Sequence, residues 1–101
     1  MVSFVFPRPC DGPLYADWTL EQRLDKVQEE VSEARDALIT AEMKGKDSDM
    51  RLLWEELTDV IIAATSALEA SGCGFPERQE ILRQKNMSNA ERDHGKRFAR
   101  D

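Results

Sequence analysis

Thr19-Leu20-Glu21-Gln22-Arg23-Leu24-Asp25-Lys26-Val27-Gln28-Glu29-Glu30-Val31-Ser32-Glu33-Ala34 opens the longest regular stretch of the chain. Thr19 and Gln22 fit a capping box, in which the threonine hydroxyl and the glutamine side chain each satisfy a backbone N–H of the first turn. Leu20, Leu24, Val27, Val31, Ala34, Leu38 and Ala41 then recur in alternating steps of four and three, one buried face of an α-helix. Gly45 is a suitable stop. The pattern predicts a helix from about Thr19 to Lys44.

After the polar turn Lys44–Asp49, with Asp47 or Ser48 as N-cap, a second helix is expected on Leu53, Leu57, Val60, Ile61, Ala64, Ala67 and Leu68, ending near Ser71-Gly72. So short a link implies an antiparallel pair. Gly74-Phe75-Pro76-Glu77 reads as a further helix start with proline in the first turn. Ile81 and Leu82 are its expected core contacts. A second capping box at Ser88–Glu91 predicts a break near Met87, leaving a charged tail over 90–101 anchored by Phe98. Residues 1–17, with three prolines, read as an extended arm holding at most a short strand at Ser3–Phe6. The expected architecture is one all-α domain over 1–101, an antiparallel helical bundle.

The chain has 101 residues, 41% hydrophobic and 34% charged, which suits a single helical domain with a modest core. Its charge is divided. Residues 1–77 hold 7 Lys/Arg and 16 Asp/Glu, a net of −9, and residues 78–101 hold 7 and 4, a net of +3. An acidic body argues against duplex nucleic acid as the partner. No run reaches the roughly 20 apolar residues of a membrane span. Cys10 and Cys73 form neither a CxxC pair nor a disulfide framework. They read as reduced thiols, and the expected location is cytoplasmic.

The chemistry lies in a repeated acidic pattern. Glu29-Glu30-Val31-Ser32-Glu33 stands on the first helix and Glu55-Glu56-Leu57-Thr58-Asp59 on the second. Glu30 with Glu33, and Glu56 with Asp59, sit one turn apart and border the apolar stripes. Taken alone, either pair is an ordinary solvated helix face. Together on antiparallel neighbours they converge, and like charges at helical spacing cost about 0.2–0.5 kcal/mol even when exposed. A hard divalent cation relieves that repulsion, and Mg²⁺ commonly bridges carboxylates to substrate phosphates.

This double motif resembles that of the MazG-like, all-alpha nucleoside triphosphate pyrophosphohydrolases: ExxE, a spacer of 22 residues between Glu33 and Glu56, then ExxD. The likeness covers residues 18–71 well and the remainder more loosely. It implies a four-helix core, completed by a second copy in a homodimer or homotetramer. It also implies a house-cleaning reaction that cleaves a (d)NTP to (d)NMP and pyrophosphate. Carried over by position, Glu30, Glu33, Glu56 and Asp59 become ligands of Mg²⁺, with Mn²⁺ an alternative ion. Glu33 is the candidate that also takes the proton of the attacking water. Phosphate contacts are expected from the C-terminal part: Lys85, Asn89 and Arg92 share a face if that stretch is helical, with Asn86 in place of Asn89 if it breaks.

Lys26, one turn before Glu30, either reaches a phosphate or pairs with Glu30. Trp54 and Trp18 are either base-stacking groups or core aromatics. His94 has no assigned role. Two other readings stand beside the nucleotide cleaner: a phosphoribosyl-ATP pyrophosphohydrolase on the same scaffold, and a helical regulatory module without catalysis. A nucleic-acid binder using the basic tail is disfavoured by the acidic body.

Overall fold

The computed structural model describes residues 15–45 and 50–92. They form three helices, with no strand among them: α1 (Leu20–Lys44), α2 (Arg51–Ala70) and α3 (Phe75–Glu91). The expected strand at Ser3–Phe6, the N-caps Asp47 and Ser48, and the tail residues His94 and Phe98 lie outside the described residues.

α1 begins where its capping box places it. The Thr19 amide donates to Gln22 Oε1 at 2.7 Å, and the Gln22 amide donates to Thr19 Oγ1 at 3.1 Å. It ends at Gly45, whose φ of 65° lies in the left-handed region that favours glycine. α2 ends in a Schellman motif: the Gly72 amide, at a φ of 96°, donates to the Glu69 carbonyl, and the Cys73 amide reaches back to the Leu68 carbonyl. α3 starts at Gly74 with Pro76 in its first turn. It then runs unbroken to Glu91, so the capping box expected at Ser88 does not interrupt it. In a helix already nucleated, the i→i−4 ladder offers Ser88 nothing to gain by leaving.

The main helix contact is α1 against α2; α3 packs on neither along its length. The pair is antiparallel. Glu30 shares a cleft with Asp59, and Arg23, two turns earlier in α1, shares it with Ser66, two turns later in α2. A single side chain fastens the base of α3. Arg78, buried, donates through Nη1 to Glu69 Oε2 and to the Cys73 carbonyl, both at 2.9 Å, with its guanidinium 5.7 Å from the Phe75 ring centre.

The helix seam is made of small and polar residues. α1 buries Arg23, Glu30, Ala34, Ala37 and Ala41, and α2 buries Thr65, Ser66 and Ala67. The large members of the expected α1 stripe, Leu20, Leu24, Val31 and Leu38, stay exposed, Leu24 by 57%. Leu24, Val31 and Leu38 each lie one residue, or about 100°, around from Arg23, Glu30 and Ala37. The stripe is wider than one neighbouring helix can cover, so α2 takes one flank and the other faces outward. Ile81, an expected core contact of α3, is likewise half exposed, and Leu82 is half buried.

Candidate metal centre and adjoining cleft

The antiparallel register brings the two acidic motifs together. Glu30 and Glu33 from α1 and Glu56 from α2 each place a carboxylate oxygen within 4.8 Å of the others. Glu30 is 8% exposed and stands at the seam; Glu56 is half buried and Glu33 open to solvent. Lys26 holds one oxygen of Glu30, Nζ to Oε1 at 3.1 Å, and also touches Glu29 at 3.4 Å. The other Glu30 oxygen, Oε2, and Glu56 Oε2 are buried without a hydrogen-bond partner among the described residues. A buried carboxylate oxygen with nothing to accept from is costly, and two beside a third carboxylate are costlier still.

The electrostatics agree with the geometry. Hydrogen bonding to Glu30 holds the Glu33 carboxyl above its ordinary 4.5, with the negative charge of Glu30, slight desolvation, and the charges of Glu56 and Glu29 adding to it. The hydrogen bond to Glu30 raises Lys26 above 10.5; desolvation opposes this, and the charges of Glu30 and Glu29 reinforce it. The donor set is all oxygen and anionic, which suits Mg²⁺ or Mn²⁺ and not a soft metal. The two partnerless buried oxygens are what a cation would satisfy.

Asp59, the fourth expected ligand, stands outside this trio. It is exposed and lines the rim of a cleft of ≈ 220 Å³ that also includes Glu30 and Lys26. Trp54 is 61% exposed and faces a second, shallow depression with Arg51, Glu55, Thr58 and Asp59, the last shared with the cleft. The flanking Glu55 is engaged by Arg51 at 3.0 Å. Lys85 and Asn89 stand on α3 and Arg92 caps its end, and none of them lines the cleft beside the carboxylates. Arg92 instead borders a separate groove with Arg83, Gln84 and Met87.

Of the cleft's other walls, the sequence singled out Trp18 alone. Tyr15 and Trp18 meet edge to face, with ring centres 4.6 Å apart and planes at 89°. Arg23, 8% exposed, donates from Nη2 to the Tyr15 carbonyl at 2.8 Å. Ile62, Ala63 and Ser66 complete the α2 side. A signal was present: Arg23 and Glu30 are a heptad apart, in line with Ala37 and next to Ala34 and Ala41. That makes them charged residues in a row of small ones.

No model of a protein family, no curated protein and no solved structure matches this chain. Fold and site together define a helical hairpin that carries a cluster of oxygen donors beside an aromatic-walled cleft. Among the described residues no helix is long and apolar enough to cross a membrane.

Proposed function

We propose that the protein is a Mg²⁺-dependent nucleoside triphosphate pyrophosphohydrolase of the MazG-like kind, acting in the cytoplasm on a (d)NTP to give the monophosphate and pyrophosphate. One observation carries the reading: three carboxylates from two helices converge within 4.8 Å, and two of them bury an oxygen that nothing among the described residues satisfies. Glu30, Glu33 and Glu56 would hold the ion, with Asp59 at the rim. When bound, it supplies charge neutralisation and Lewis-acid polarisation to the phosphate oxygens.

The chain's own groups then divide the work. Lys26, at the cleft beside Glu30, neutralises phosphate charge. Glu33, open to solvent, orients a water and takes its proton. The water oxygen bonds to the α-phosphorus, the bond from that phosphorus to the bridging oxygen breaks, and pyrophosphate leaves. No covalent intermediate is required. Lys85, Asn89 and Arg92 have no part in this site of the same chain.

A second copy of the chain is part of the proposal. α1 leaves Leu24, Val31 and Leu38 exposed, and α2 adds Leu57 and Ile61. Two hairpins packed through such surfaces make a four-helix core. Light scattering would read a dimer, or a dimer of dimers; a monomer at micromolar concentration would contradict this part.

The test is pyrophosphate release from a panel of ribo- and deoxynucleoside triphosphates, with Mg²⁺ and again with EDTA. Metal-dependent release with a monophosphate product is expected. No release from any member would remove the assignment.

A further inference from the structure

The cleft beside the carboxylates has a chemistry of its own. It shares Glu30 with the candidate metal centre and adds Lys26 and Asp59 beside it, so a substrate with its phosphates there extends into this space. From Glu30 to Arg23 along α1 is about 10 Å at a rise of 1.5 Å per residue. That is the reach of a sugar and a base. At this far end Arg23 stands among flat and apolar groups, the Tyr15–Trp18 pair from the turn before α1 and Ile62 and Ala63 from α2. Ser66, buried, adds a hydroxyl that can both donate and accept. At ≈ 220 Å³ the cleft is larger than the roughly 150 Å³ cavity that takes a six-membered aromatic ring.

The aromatic wall does not come from a helix. It belongs to the turn before α1 and is held by one carbonyl. Tyr15 C=O accepts from the Trp18 amide at 3.1 Å and from Arg23 Nη2 at 2.8 Å. The Arg23 guanidinium thus ties the turn to α1 from within the seam.

We infer that this cleft is the base-recognition pocket, receiving the planar heteroaromatic base of a nucleotide against Trp18, with Arg23 as the residue that positions the aromatic wall. The inference rests on the nucleotide reading above. Trp18, not Trp54, is the stacking tryptophan. Base–aromatic stacking is worth about 1–3 kcal/mol by alanine substitution, so the effect is a measurable change in affinity and in discrimination among bases.

The experiment has two arms. In the first, Trp18→Ala, Trp18→Phe, Arg23→Gln and Arg23→Lys are assayed with each triphosphate. Trp18→Ala and Arg23→Gln should raise KM tenfold or more and narrow the differences between bases, with a smaller fall in kcat. Trp18→Phe and Arg23→Lys should recover most of the loss, since each keeps the ring or the donor. An unchanged KM and base preference in Trp18→Ala, with turnover intact, would overturn the pocket and leave the hydrolase standing.

In the second arm the Trp54→Phe protein, whose tryptophan signal comes from Trp18, is titrated with nucleoside monophosphates and with ribose 5-phosphate. Quenching by the first and not the second supports the pocket, even if no triphosphate is hydrolysed and the catalytic reading falls. Equal response to both, or none to either, overturns it.

Discussion

Arg23, Glu30 and Arg78 are the buried charged side chains among the described residues, and the surroundings of the last two differ. Arg78, at the joint of α2 and α3, faces the opposite charge of Glu69 and the Cys73 carbonyl, both held by Nη1, while its buried Nε has no hydrogen-bond partner among the described residues. Glu30, at the seam of α1 and α2, has Lys26 on one oxygen, but its other oxygen is bare and its neighbours Glu33 and Glu56 repeat its own sign. Burial of an ion is costly in both places. At Arg78 the cost is offset by partners within the chain, which marks a structural joint. At Glu30 it is offset only in part, which is the feature on which the proposed cation site rests.

The largest expected effect separates the two regions on activity. Glu33→Gln or Glu56→Gln should lower pyrophosphate release by at least about 100-fold, while the metal-free thermal midpoint rises because a like charge has gone. A fall in both would make these residues structural. Arg78→Ala should do the reverse. It should destabilise by about 1–2 kcal/mol, as loss of buried hydrogen bonds to a charged group does, and spare the metal response. Chemical denaturation with and without Mg²⁺ reads both.

Acid titration sharpens the contrast. Glu33, raised above 4.5, makes the folded chain bind more protons than the unfolded one between that value and its own. Its contribution to stability is full below 4.5 and is lost as pH rises through the raised value. Glu80, lowered by its hydrogen bond to Arg83, runs the opposite way: its contribution is present above 4.5 and lost as pH falls through the lowered value. Glu33→Gln should remove the first slope and keep the second. The metal-free midpoint against pH, wild type beside variant, measures this; identical curves would break the comparison. The smallest effect is at the shared scaffold. Thr19→Ala deletes the capping-box hydroxyl and should cost about 1 kcal/mol, visible in the denaturation midpoint with base preference unchanged.

The helices were readable because their signals are local. Thr19 with Gln22, Gly45, and Gly74 with Pro76 each act within a turn of the boundary they set. The convergence of Glu30, Glu33 and Glu56 was readable too, since an antiparallel link carries one i, i+3 pair to the other. What periodicity could not give was which flank of a wide apolar stripe faces α2, because Leu24 and Arg23 differ by one residue and only the packed neighbour chooses between them. The same limit hid the cleft. Tyr15 lies in a proline-rich arm without period, and it joins Ser66 only through the fold. Ser88 misled for the opposite reason: a capping signal inside an established helix competes with the ladder and loses.

The proposed function requires the carboxylate trio to bind a divalent cation in the folded chain. The direct measurement is folding stability against Mg²⁺ concentration for the wild type, Glu33→Gln and Glu56→Gln. A site present only in the folded chain adds RT ln(1 + [Mg²⁺]/Kd). The wild type should therefore rise steadily with Mg²⁺, and both variants should start higher and stay nearly flat. Equal responses in all three, or no response in the wild type, would contradict it.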